Sequence, residues 1–267
     1  MLREPAVAHQ FYPGDPATLR RTLDQMVPEI TDKQTAMAVI APHAGYVYSG
    51  AVAGETFATV SIPRDILLMG PNHHGYGAPV ALMDHGGWRM PMGEVPINDT
   101  LAAMLLEKSP LIEPDTLAHR FEHSLEVEVP FLQYLQADLT ITPLVISHLS
   151  YSSCREVGEA IAAAIQQYGR PVLIVASSDM SHYESRESAT AKDSMALERI
   201  TAMDPEGLYR TVLDQRITMC GIMPATIAMV AAIRLGAQRA RLVRYTDSGE
   251  ASGDTNQVVG YAGMVIS

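Results

Sequence analysis

Cysteine is scarce in this chain: Cys154 and Cys220 are the only two in 267 residues. Two thiols so far apart cannot build a disulfide framework, and their number suits a reducing compartment. Positive charge is also short. Lys plus Arg is 19 against 30 Asp plus Glu, a net charge of −11. Such an acidic chain is a poor partner for the phosphate backbone of nucleic acid or for an anionic membrane surface. Long apolar runs are missing too. Pro, Gly or a charge interrupts each one well before the roughly 20 residues that a membrane span needs. The opening MLREPAVAHQFYPGDP has no apolar core of the kind a secretory leader carries, so a cytoplasmic location is expected.

What the chain does have is core-forming material. Hydrophobic residues make up 47% and charged residues 18%, which excludes disorder as the default state. Short apolar runs read as buried strands at Ala36–Ala41, Ile66–Gly70, Thr140–Ile146 and Val172–Ser177. Helical spacing falls between them, at Ala51–Val60, Asn98–Leu106, Ser124–Leu135 and Cys154–Tyr168. A closing strand is expected at Val258–Ile266, with Arg241–Tyr245 as its neighbour. Alternating strand and helix predicts an α/β fold, with a largely parallel or mixed sheet. No Ser/Gly-rich tract, charge block or repeat interrupts the pattern, so residues 1–267 read as a single domain. Gly75–Pro96, rich in Gly, Pro and Met, is expected to be a long irregular loop.

The polar residues that follow the expected strands are the ones that carry chemistry, because α/β sheets place their sites beyond the carboxyl ends of the strands. His43 follows the first run in IAPHAGYVYSG, and His73 with His74 follows the second in LLMGPNHHGYG. Each is either a site residue or a turn histidine bonded to backbone. Adjacent side chains in an extended turn point apart, so at most one of His73 and His74 joins His43. Asp179 and His182 follow another run in VLIVASSDMSHY. A carboxylate that fixes an imidazole's tautomer makes a general base, although Asp179 also reads as a helix N-cap. Cys220, in ITMCGIMPATIAMV, precedes an apolar helix whose positive end would favour thiolate. It is either a ligand or nucleophile, or a small buried hydrophobe. His123, in FEHSLEVEVPFLQYL, leads into an expected amphipathic helix and is either a site residue or a cap. Cys154 reads as structural, and His148 is a weaker candidate. Two histidines and one thiolate from separate elements can form a three-ligand metal site with open positions.

Seven motifs, REPAVAHQFYP, IAPHAGYVYSG, LMGPNHHG, FEHSLEVEVPFLQ, ASSDMSHY, MCGIMP and GYAGMVIS, occur in this order over nearly the whole chain. Together they resemble the Memo-like family, also called AmmeMemoRadiSam system protein B. That family is similar in fold to the class III, LigB-type, extradiol dioxygenases. The resemblance implies a central mixed sheet flanked by helices. It further implies a metal site of His43, His73 and Cys220, with His182 as a base, Asp179 beside it and His123 lining the pocket. The related dioxygenases hold ferrous iron and use a glutamate where this chain has Cys220. The resemblance therefore implies Fe(II), and a thiolate in place of the glutamate, which shifts preference toward Zn, Cu(I) or Fe, adds Zn or Cu as alternatives. His9 stands where many members carry a small residue, a departure at an edge of the site.

Three readings follow. One is an iron-dependent, oxygenase-like enzyme acting on a small aromatic or enol substrate. Another is a redox-neutral zinc hydrolase or lyase. The third is a non-catalytic module that holds metal or a peptide. The family name implies AMMECR-like and radical-SAM proteins as associated partners.

Overall fold

Four apolar runs form the centre of the molecule because each is buried on both faces. The computed structural model describes residues 1–267. In chain order the elements are β1 (Leu2–Arg3), α1 (Pro16–Met26), β2 (Ala38–Ala41), α2 (Tyr46–Ala58) and β3 (Asp65–Pro71). Then come β4 (Val80–Leu82), β5 (Gly87–Met90), β6 (Gly93–Pro96), α3 (Asp99–Lys108) and β7 (Glu113–Pro114). A 3-10 turn (Glu126–Glu128) leads into α4 (Val129–Leu135), β8 (Thr140–Ile146), α5 (Tyr151–Tyr168), β9 (Val172–Ser177) and β10 (His182–Glu184). The chain closes with α6 (Arg186–Thr201), α7 (Pro205–Asp214), α8 (Ile222–Arg234), β11 (Ala240–Asp247), α9 (Gly249–Ser252) and β12 (Val258–Ile266).

Strands β2, β9, β3 and β8 lie side by side and parallel. Antiparallel β12 extends the sheet past β2, and antiparallel β4 extends it past β8. The sheet is therefore mixed, as expected. Every residue of the four central strands is buried, the pattern of a sheet covered on both faces. Helices α5 and α8 contribute to the core layer on one face, and α1, α2 and α4 to that on the other. No helix is long and apolar enough to cross a membrane.

Two expectations are corrected. Gly75–Pro96 is not irregular: it holds β4 and the β5–β6 hairpin, whose Trp88 is buried beneath the Arg3 guanidinium, 4.3 Å from its ring centre. Met83 and Met90 are buried beside it. Nor is Ser124–Leu135 one amphipathic helix. It is a 3-10 turn followed by α4, and Glu126 and Glu128 are both wholly buried. Glu126 accepts from Arg3 Nη1 at 2.7 Å, from Tyr12 Oη at 2.7 Å and from the amides of Ala6 and Val7. Only this ring of four donors, brought from the N-terminal segment, makes a buried carboxylate tolerable.

His119 gives the fold a measurable pH dependence. Its ring is buried against the Ala81 carbonyl, to which Nε2 donates at 3.0 Å, and burial pushes its pKa down to about 4. The unfolded chain protonates this ring near 6.5, so the unfolded state binds more protons between the two values. Stability is therefore complete above about pH 7 and declines as pH falls from about 6.5 towards 4, by roughly 3 kcal/mol from this group. Urea unfolding at stepped pH should show the decline. His119→Gln, which keeps a donor for Ala81 but cannot titrate, should remove this group's share and leave a shallower decline from the other buried histidines, His43 and His123; an unchanged slope would assign the whole effect to them.

Candidate metal centre

The three strand-end segments reach the site in the same way. His43 lies two residues past the end of β2, His73 two past β3, and Asp179 two past β9. These strands are neighbours in the order β2-β9-β3. Strands are about 4.8 Å apart, so the ends of β2 and β3 are roughly 10 Å apart and inward-pointing imidazoles can span the gap. The rings of His43 and His73 meet with centroids 5.3 Å apart.

His123 enters from a different layer, on the loop between β7 and the 3-10 turn. Its ring stacks on His73 at 4.6 Å and lies 5.5 Å from His43. This loop can approach because residue 70, near the end of β3, is glycine. A Cβ there would fall 2.4 Å from Ser124 Oγ. One donor nitrogen from each of His43, His73 and His123 can be chosen so that all three lie within 4.8 Å of one another. Donors on one ion sit about 3–3.5 Å apart at bond lengths near 2.1 Å, so modest ring movement closes the set.

Cys220 comes from the loop between α7 and α8. Its Sγ is 3.4 Å from His43 Nε2, and it accepts from the Asp179 amide at 3.2 Å. Gly221 makes this approach possible, since a Cβ there would lie 2.3 Å from the Ser177 carbonyl oxygen. The sulfur thus touches one member of the histidine cluster. Its expected activation by the α8 N-terminus is corrected: burial, reinforced by the Asp179 carboxylate, pushes the Cys220 thiol up. Desolvation outweighs the helix dipole here, so the thiolate needs a cation to form.

The outer partners fix the rings. His73 Nδ1 bonds Glu122 Oε1 at 2.8 Å, and its amide donates to the other carboxylate oxygen at 2.7 Å. Burial raises the Glu122 pKa, but the His73 ring and the Ser124 and His73 amides outweigh it and hold the carboxyl well below the usual range. An ionised carboxylate can only accept, so His73 carries a hydrogen on Nδ1 and Nε2 is the nitrogen left to ligate. His43 Nδ1 bonds Ser177 Oγ at 2.7 Å, again directing Nε2 at the cluster. Metal-binding histidines are typically oriented in this way. Burial, with His123 and His73 adding, holds the His43 pKa well below its ordinary value. Burial also brings His123 down to about 4, despite Glu122. These two rings are neutral near pH 7, the form that ligates.

Asp179 is neither a helix N-cap nor the partner of His182. Its Oδ1 accepts from the His43 amide at 2.8 Å, which ties the β9 end to the β2 end. Burial raises its pKa to about 6, restrained by the His43 and Ala44 amides. His182 is held instead by Thr218: its amide donates to Oγ1 at 2.7 Å and its Nδ1 to the carbonyl at 2.9 Å. The carbonyl cannot donate, so Nδ1 of His182 carries the hydrogen of that bond and Nε2 has no protein partner. The ring lies close to His43 and Asp179. His74 points away, with Nε2 on the Phe121 carbonyl. Cys154 is buried in the core. His9, at φ +68°, lines a groove of about 620 Å³ with Phe11, Tyr46 and Tyr48. Phe11, in the wall of this groove, meets His123 edge-on at 4.9 Å, but none of the three clustered imidazoles lines the groove. A hollow of about 650 Å³ between residues 1–6 and 116–121 contains none of the three clustered imidazoles.

Glu122, Glu128 and Ser177 escaped the sequence reading. Glu122 directly precedes His123, which was a usable signal. Glu128 had none, because EVEV reads as a half-exposed face until Ser177 is placed against it.

Relatives match the chain over its full length. A MEMO1 family protein of Methanopyrus kandleri is 40% identical, spanning 100% of this chain and 99% of its own. Another of Methanothermobacter thermautotrophicus is 39% identical over 98% and 99%, and one of Aquifex aeolicus is 39% identical over 99% of both. A crystal structure of an uncharacterized protein from Escherichia coli K12 shares the fold, with a TM-score of 0.55 at 14% identity, over 85% of this chain and 98% of that one. The model of the Memo-like protein family matches residues 3–265, and the chain belongs to that family.

Proposed function

We propose that this chain is a metal-dependent enzyme of oxygenase type, acting on a small aromatic or enol substrate, with His43, His73 and Cys220 as ligands. The observation that carries this reading is the convergence of three imidazoles, two of them oriented by Ser177 and Glu122, with the Cys220 sulfur 3.4 Å from one of them. A ferrous ion held there would offer open positions to substrate and dioxygen and relay electrons from the substrate to the oxygen. The chain's own residues do the rest. His182, its Nδ1 hydrogen engaged by Thr218, takes the proton of a phenol or enol hydroxyl at Nε2. His123, buried against Phe11, donates to the anion that develops on the substrate.

A second reading rests on the same cluster. Three imidazoles alone, His43, His73 and His123, suit zinc with an activated water and hydrolytic chemistry. Elemental analysis after anaerobic purification separates the two ligand sets. Cys220→Ala should lose most of the bound metal, whereas His123→Ala should keep it. The opposite result would assign the three-imidazole set and favour hydrolysis. Oxygen uptake by the iron-loaded protein against catechols and enols tests the reaction itself, and its absence across the panel would remove the oxygenase reading.

A further inference from the structure

Glu128 is a wholly buried carboxyl group that the proposed chemistry leaves unused. Its Oε1 lies 2.8 Å from Ser177 Oγ, and its Oε2 has no hydrogen-bond partner at all. Ser177 Oγ has three polar neighbours: His43 Nδ1 at 2.7 Å, the Ser124 carbonyl at 2.8 Å and Glu128 Oε1. A hydroxyl has a single hydrogen and two lone pairs. The Ser124 carbonyl cannot donate, so it takes the Ser177 hydrogen. The other two neighbours must then each bring a hydrogen of their own. His43 brings it on Nδ1, leaving Nε2 bare, and Glu128 brings it on Oε1. The lone Oε2 agrees with this. A buried ionised carboxylate with one oxygen unpaired is far costlier than the carbonyl oxygen of a neutral acid.

We propose that Glu128 is a reserve counter-charge for the metal centre, protonated while the site is empty and ionised when a divalent cation is bound by His43. This rests on the metal-site reading above. The path from cation to carboxyl runs through His43 and Ser177. On ionisation the Glu128 proton leaves to solvent, and the Ser177 hydrogen turns from the Ser124 carbonyl to Glu128 Oε1. His43 keeps its Nδ1 hydrogen throughout. The charged groups facing Glu128 agree with the empty-site form. Asp179 repels a second negative charge, and the buried Tyr46 phenol, which Glu128 in turn disfavours from ionising, supplies no positive charge. Burial itself raises the Glu128 pKa well above the carboxylate range. A divalent cation on His43 brings a strong opposite charge to the site.

Infrared spectroscopy on the metal-free protein, with glutamate isotope-labelled, tests the first half. A carboxylic-acid C=O band should be present in the wild type and absent in Glu128→Gln. Zn²⁺, which is redox-silent, tests the second half. Loading it should remove the band, and the wild type should release a single proton more than Glu128→Gln, counted by calorimetry in buffers of different ionisation enthalpy. The affinity advantage of the wild type over the variant should also grow about tenfold per pH unit while Glu128 is protonated in the free protein. A missing band in the metal-free wild type, or a band that survives bound Zn²⁺, overturns the proposal. If Zn²⁺ does not bind, the counter-charge role falls with it, and the persisting band in metal-free protein shows that the failure lies in the metal reading. All the infrared measurements on the wild type stand even if Glu128→Gln does not fold.

Discussion

His43→Ala is expected to weaken divalent-metal binding more than about 100-fold, beyond the 10–100-fold cost of losing an outer-shell partner. His43 and His73 belong to both candidate sets, which differ only in Cys220 or His123, and His43 is the ring that the Cys220 sulfur touches. Its removal also frees Ser177 and leaves Cys220 without a ring to share a cation. Chelator competition with Zn²⁺ reads the affinity, and circular dichroism confirms that the sheet persists. Asp179 should keep the β2 end in place, because it binds the residue 43 backbone amide rather than the ring. Wild-type affinity in a folded His43→Ala protein would move the site elsewhere and end the metal reading.

Arg3→Ala should lower the unfolding free energy by about 3–5 kcal/mol, the usual cost of stripping one partner from a buried ion pair. Arg3 Nη1 meets Glu126 at 2.7 Å with both side chains nearly inaccessible. The same guanidinium donates to the His119 carbonyl at 2.7 Å and the Glu122 carbonyl at 2.6 Å, and it covers Trp88. One side chain therefore anchors the N-terminal segment and the loop that carries Glu122 and His123. Denaturant titration measures the loss, and a change under about 1 kcal/mol would show that the remaining three donors suffice for Glu126. A further consequence follows for the site. Arg3→Ala should loosen the Glu122 hold on His73 and reduce metal affinity without touching a ligand.

Much of the layout was legible in the chain. The four inner strands could be read because each is a short apolar run bounded by turn residues, and β8 and β9 occur at the expected limits. Strand ends followed by His43, His73 and Asp179 marked one side of the sheet as the chemical side. Trp88 and its neighbours were harder. A Gly- and Met-rich stretch has no strong period, and the β5–β6 hairpin is stabilised by pairing with β1, over 80 residues away in the chain.

Local sequence determined which segments become strands and which residues stand at their ends, because burial pattern and turn chemistry act over a few residues. It could not determine the states of the buried acids and the thiol. Glu122, Glu126 and Glu128 are near neighbours in one loop and turn, yet the first holds His73, the second closes an ion pair and the third keeps a proton by the hydrogen-bond count at Ser177. The same holds for Cys220, where the dipole visible in the sequence yields to burial visible only in three dimensions. The charge state of a buried group is set by donors and dielectric within a few ångströms, and here those donors come from parts of the chain up to about 120 residues away.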